Sequence, residues 1–89
     1  MQAIVTVLGK DQVGIIAGVC VTLAAHNINV LNISQTIMDE YFTMLMLVDL
    51  AACETDFDEL RSILRSYGEG RGLSIRIQRT DIFDAMHTV

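Results

Sequence analysis

Gly9-Lys10-Asp11-Gln12-Val13-Gly14-Ile15 is the stretch on which the fold turns. It follows an apolar, β-branched run over residues 3–8 and opens into an apolar run over residues 13–25. The first has the length and composition of a strand and the second those of a helix. Two glycines bracketing a polar turn therefore mark the point where a strand hands over to a helix. A helix start leaves backbone N–H groups without helical acceptors, with the positive end of the helix dipole behind them. Such a turn can receive a carboxylate or another small anion.

Working outward, residues 2–8 read as the first strand and 13–26 as the first helix, with Ile16, Val19, Cys20 and Leu23 as its core stripe. Asn27 closes that helix, because Asn tolerates the left-handed conformation. Residues 28–38 form a second strand, with Ile28, Val30 and Asn32 on one face, and Asp39-Glu40 turn into a third strand over 41–50. Thr55 caps a second helix, supported by Asp58 three positions on. Its apolar stripe is Phe57, Leu60, Ile63, Leu64 and Tyr67, and Gly68, Gly70 and Gly72 stop it. Residues 73–78 alternate apolar and polar side chains and make the fourth strand. Thr80 or Asp81 caps a short terminal helix carrying Ile82, Phe83 and Met86. The expected order is β-α-β-β-α-β plus a tail. It forms a ferredoxin-like α+β sandwich: a four-stranded antiparallel sheet with both helices on one face. One domain spans residues 1–89, with its core at about 2–79 and a helical tail over 80–89.

Composition narrows the function. Eighty-nine residues make one domain, and a chain this short buries roughly 60–65% of its unfolded surface. Eleven acidic against six basic residues argue against nucleic acid and against anionic membranes. Cys20 and Cys53 stand far apart in apolar surroundings and read as buried thiols in a reducing compartment. No signal peptide is evident, and the apolar run at 13–25 is too short to cross a bilayer. The expected location is the cytoplasm.

The apolar surplus points to a partner. Helices cover only one face of such a sheet, yet Met44, Leu45, Met46, Leu47 and Val48 are apolar towards both faces, as are Ile4, Val5, Val7 and Leu8. A strand apolar on both sides is usually buried on both sides. In the first helix Ile15, Ala17, Val21 and Ala24 lie off the core stripe, and a helix apolar all round is covered all round. Either the terminal helix folds back over the open face, or the chain is a homodimer or higher oligomer through helix one and an adjacent edge strand. Gly14 and Gly18 allow a close neighbour, either from a second chain or from the sheet of the same one.

Reactive constellations are sparse. His26 and His87 have no Cys, Asp or His at metal-ligand spacing, so neither a metal nor a cofactor is expected. Cys20 has no basic neighbour to lower its pKa. Asp56, Asp58 and Glu59 simply stabilise a helix start. The turn is different. Lys10 is the one lysine of the chain. Asp11 can accept from an ammonium group while free N–H groups near Val13 and Gly14 hold a carboxylate, a combination that suits a zwitterion. The alternative is a plain tight turn with Asp11 as helix N-cap. Asn27, Asn29, Asn32, Ser34 and Gln35 offer donors and acceptors along strand two, an edge strand in this topology, from which a second subunit reaches the turn. They serve equally as edge protection and turn formers.

These residues resemble the ACT domain, a small regulatory module that commonly binds amino acids. The resemblance rests on residues 9–17, on Asn29 within His26-Asn27-Ile28-Asn29-Val30, and on the element order over about residues 2–79. It is strongest for the stand-alone single-domain members, which are similar to the regulatory proteins of glycine cleavage. It implies a ligand held between two side-by-side domains, by the first turn of one (Asp11, Gly14) and an Asn at the start of strand two of the other (Asn29). Members that regulate serine synthesis carry His where this chain has Gly9 and Asn where it has Asp11. The candidate ligand-binding residues are Gly9, Lys10, Asp11, Gln12, Val13, Gly14, Asn27 and Asn29. With no catalytic domain attached, the expected role is a non-enzymatic sensor that signals through a partner protein. A constitutive interaction module is the alternative. RNA binding lacks its central-strand aromatics, with only Tyr41 and Phe42 at the start of strand three. Acyl phosphate hydrolysis lacks an Arg in the first turn.

Overall fold

The computed structural model describes residues 1–80. The elements are β1 (Gln2–Lys10), α1 (Ile15–Ala25), β2 (Asn29–Met38), β3 (Tyr41–Asp49), α2 (Phe57–Glu69) and β4 (Ser74–Arg79). They build one antiparallel sheet in the order β2-β3-β1-β4. Both helices cover the same face. This is the ferredoxin-like arrangement that the sequence led us to expect, with β2 and β4 as the two edges. The short terminal helix expected beyond Thr80 falls on residues 81–89, outside the described residues.

Alternation along the central strands sets the core. Ala3, Val5 and Val7 of β1, Phe42, Met44, Met46 and Val48 of β3, and Ile75 and Ile77 of β4 point under the helices and are buried. They meet Ile15, Val19 and Leu23 of α1 and Leu60 and Leu64 of α2. The α2 stripe is as expected, with Phe57, Ile63 and Tyr67 half-buried beside it.

Helix α1 departs from its expected phase. It begins at Ile15 rather than Val13, because Gly14 holds the N-cap with φ 86°. The buried stripe is Ile15, Val19 and Leu23, one apolar residue per turn, while Ile16 turns outward and Cys20 is only half-buried. The C-terminus closes as expected. Asn27 sits at φ 58°, its N–H donates to Ala24 O at 3.0 Å, and the Ile28 N–H donates to Leu23 O at 3.1 Å. That pair of bonds is a Schellman closure, with Leu23 and Ile28 both buried against it.

Other local expectations are corrected. Asp56, not Thr55, caps α2, accepting from the Asp58 N–H at 3.2 Å. Gly68 lies inside α2 and is buried; a Cβ there would stand 2.6 Å from Leu73 O. In β2 a bulge between Val30 and Asn32 breaks the alternation. Val30 stays opposite Val48 on the helix face, whereas Asn32 moves opposite Leu47 on the open face. Gly18 receives a neighbour from its own chain: a Cβ there would collide with the Tyr67 hydroxyl of α2. Cys20 and Cys53 are free thiols, half-buried rather than buried.

The apolar surplus is real. Leu8 and Leu45 on the open sheet face are 43% and 45% exposed, Val21 on the outer side of α1 69%, and Val13 fully exposed. Among the described helices none is long and apolar enough to cross a membrane.

Candidate functional site

The β1–α1 turn is built where β1 runs out of sheet. Gly9 is opposite Phe42 and Lys10 opposite Tyr41, the last pair of the ladder. A Cβ at Gly9 would stand 2.6 Å from the Leu73 side chain and 3.2 Å from Gly72 O, so the strand passes close beneath the α2–β4 loop. The Asp11 N–H donates to Glu40 O at 2.9 Å, and Gln12 Nε2 donates to Arg71 O at 3.0 Å. The turn is thereby pinned on one side by the β2–β3 hairpin tip and on the other by the α2–β4 loop. Glu40 and Arg71 were not among the residues singled out from sequence. Both are loop charges with no periodic pattern to mark them.

The side chains of Lys10, Asp11, Gln12 and Val13 are exposed, and so is Gly14. Asp11 does not cap α1, since Gly14 occupies that position and no side chain bonds to the helix start. Gly18 N–H to Gly14 O, at 2.9 Å, is the first helical bond. The N–H groups of Ile15, Ile16 and Ala17 thus have no acceptor within the helix. The turn offers a positive helix end, one carboxylate and one ammonium within a few residues.

Asn27 and Asn29 lie elsewhere. Asn29 pairs with Asp49, at the far end of β3 from the Tyr41–Lys10 pair. Eight residue steps along a strand span about 26 Å. Within one chain, therefore, the turn (Gly9, Lys10, Asp11, Gln12, Val13, Gly14) and the two asparagines occupy opposite ends of the sheet. Asn32 and Ser34 face the open side, where with Ile4, Leu45 and Leu47 they line a shallow hollow of about 260 Å³. Gln35 lies opposite Met44 on the helix side.

His26 is committed locally, its Nδ1–H donating to Thr22 O at 2.9 Å. Among the described residues no group of His, Cys, Asp or Glu could hold a metal ion. His87 lies outside them.

A family model described as the ACT domain matches residues 1–78. The chain belongs to the ACT domain family. A UPF0237 protein of Clostridium acetobutylicum is 54% identical over 89 residues, covering 100% of both chains. The solved ACT domain protein from Streptococcus pneumoniae superposes with a TM-score of 0.83 at 43% identity, covering 93% of each chain. A putative glycine cleavage system transcriptional repressor shares the fold, with a TM-score of 0.74 at 20% identity over 88% of this chain and 44% of that one. ACT domains are in general regulatory, ligand-binding modules, and commonly dimerise.

Proposed function

We propose that this ACT domain is a non-enzymatic cytoplasmic sensor that binds a free amino acid between two copies of itself. One observation carries the reading. The turn and Asn29 belong to opposite ends of one sheet, and β2, the strand that starts at Asn29, is a long, uncharged free edge. Two-fold pairing of β2 with a second β2 runs antiparallel. A register centred on Ser34, with Leu31 as the extra residue of the bulge, sets Asn29 of one copy opposite Met38 of the other. Met38 leads into the hairpin tip that holds Asp11. The asparagine amide of one chain then approaches the turn of its neighbour.

In this arrangement the ligand carboxylate takes the free N–H groups at the start of α1, and Asp11 accepts from the ammonium. Asn29 and Asn27 of the second copy contribute amide donors and acceptors. Lys10 and Gln12 frame the turn, and Gly9 and Val13 set its path. Ligand binding favours one arrangement of the pair, which a partner protein reads by its different affinity for the two arrangements.

Thermal unfolding against the twenty amino acids, one at a time, tests this. A ligand at ~100 times its dissociation constant adds about 2.7 kcal/mol, which raises the midpoint of a chain this small by roughly ten degrees. A rise with one or two amino acids is the expected result. A flat panel replaces the sensor with a constitutive interaction module, a reading to which the exposed apolar β2 lends itself.

A further inference from the structure

The other edge of the sheet carries a different chemistry. Among the described strands β4 pairs only with β1, so the outward backbone N–H and C=O groups of residues 74–79 have no strand beside them. A groove of about 630 Å³ runs between this edge and α2, with Arg61, Arg65, Glu69, Ile75, Arg76 and Gln78 on its walls. In a chain of net charge −5, four of the six cationic side chains (Arg61, Arg65, Arg76 and Arg79) stand on these two elements. Arg61 is engaged with Asp58 at 3.2 Å and lies 5.1 Å above the Phe57 ring. The guanidinium groups of Arg65 and Arg76 have no ion pair or side-chain hydrogen bond among the described residues. One carboxylate, Glu69, shares the groove with them.

We propose that the β4 edge takes an extended acidic segment of another protein as a fifth strand, with its carboxylates on Arg65 and Arg76. The backbone ladder supplies affinity, and alternate side chains of the incoming strand select for charge. Arg65 on the helix side of the edge and Arg76 on the open side, where it lies opposite Thr6, offer planar, forked donors that suit carboxylates, one towards each face of an incoming strand. A second copy of this chain does not fit, because β4–β4 pairing brings arginine towards arginine. Nucleic acid does not fit a chain of this overall charge. The groove lies across the sheet from β2, so this docking stands whether or not an amino acid binds.

The test is fluorescence anisotropy with a labelled peptide of about ten residues, long enough to pair with all of β4, in which pairs of adjacent glutamates, one towards each face, are set among valine and threonine. We expect saturable binding to the full chain at low salt, with NMR amide shifts concentrated in residues 74–79 rather than 29–38. Arg65→Glu and Arg76→Glu, both at exposed positions, should each weaken it about tenfold. Of two peptides methylated on alternate sets of backbone nitrogens, one should lose binding and the other keep it. Absence of binding overturns the proposal and leaves the arginines as plain edge protection. Binding that survives both charge reversals, or that both methylated peptides keep, also overturns it. So does equal competition by free succinate, which would make the groove a small-anion site.

Discussion

The two edges of this sheet are opposites. β2 is ten residues long, contains no charged residue, and is exposed from Leu31 to Met38. Its Leu31, Ile33, Ile37 and Met38 are 44%, 40%, 57% and 74% exposed. β4 is six residues long, carries Arg76 and Arg79, and lies beside two further arginines on α2. Natural sheets blunt their free edges with charge, with bulges or by shortness, because an open edge is a template for another strand. β4 is short and charged. β2 has only the bulge at Leu31, close to its start. On the proposed reading the edges take different partners: β2 would accept a copy of itself, and β4 would repel one.

The largest effect should come from giving β2 the charge it lacks. Ser34→Lys with Thr36→Lys should weaken self-association by at least about a hundredfold, since position 34 then meets its own charge across the pair and position 36 lies diagonal to it on the same face. Sedimentation velocity over a concentration series reads this. The matched change on the other edge, Ser74→Lys with Gln78→Lys, should leave the oligomer unchanged. If both pairs of substitutions act alike, the contrast between the edges fails.

Core truncation separates folding from pairing. Leu64→Ala, on the buried face of α2, should cost about 3 kcal/mol of stability through the cavity it leaves, with self-association retained at temperatures where the chain is still folded. Urea unfolding alongside sedimentation gives both quantities.

A smaller effect is expected at the turn. Asp11→Ala and Asn29→Ala should each weaken amino-acid binding about tenfold, as expected for a lost bond to a charged group, and should leave the dimer intact. Calorimetric titration measures the first, sedimentation the second. Unchanged affinity in both variants removes these residues from the site.

The smallest effect lies in the β4 half. Asp56→Ala removes the α2 cap and should cost about 1 kcal/mol, a fall of roughly 4–8 °C in Tm, with no change at β2. A thermal melt monitored by circular dichroism checks it.

The order of the elements was legible because α2 and β4 show strong contrast. Phe57, Leu60, Leu64 and Tyr67 alternate with charges at helical spacing, and Leu73, Ile75 and Ile77 alternate with polar residues. Helix α1 has no such contrast. With Ile15 and Ile16 adjacent and Val19, Cys20 and Val21 in a row, either phase looks apolar, and only the left-handed Gly14 fixes where the helix starts. The β2 bulge was hidden for a related reason: Val30 and Leu31 are both apolar, so an inserted residue leaves no mark in the alternation. Thr55 and Asp56 are both good caps, and only the geometry chooses between them. The turn could be picked out from its two glycines and polar centre. Its pinning by Glu40 and Arg71 could not, because those contacts join loops 29 and 59 residues away in sequence. Gly18 was read as leaving room for a neighbour. That neighbour, Tyr67, is half a chain away, and its hydroxyl is buried without a partner among the described residues.

The central claim is that the binding site is shared between two chains, and complementation tests it most directly. Asp11→Ala and Asn29→Ala chains are mixed in equal amounts, unfolded and refolded together, and titrated with the amino acid singled out by thermal unfolding. Random pairing makes half the dimers mixed, and each mixed dimer joins one intact turn to one intact Asn29. The account predicts recovery of native affinity at about a quarter of all sites, although neither variant alone shows any. If the mixture binds no better than its two components measured separately, the turn and Asn29 do not meet across a pair, and the account is wrong.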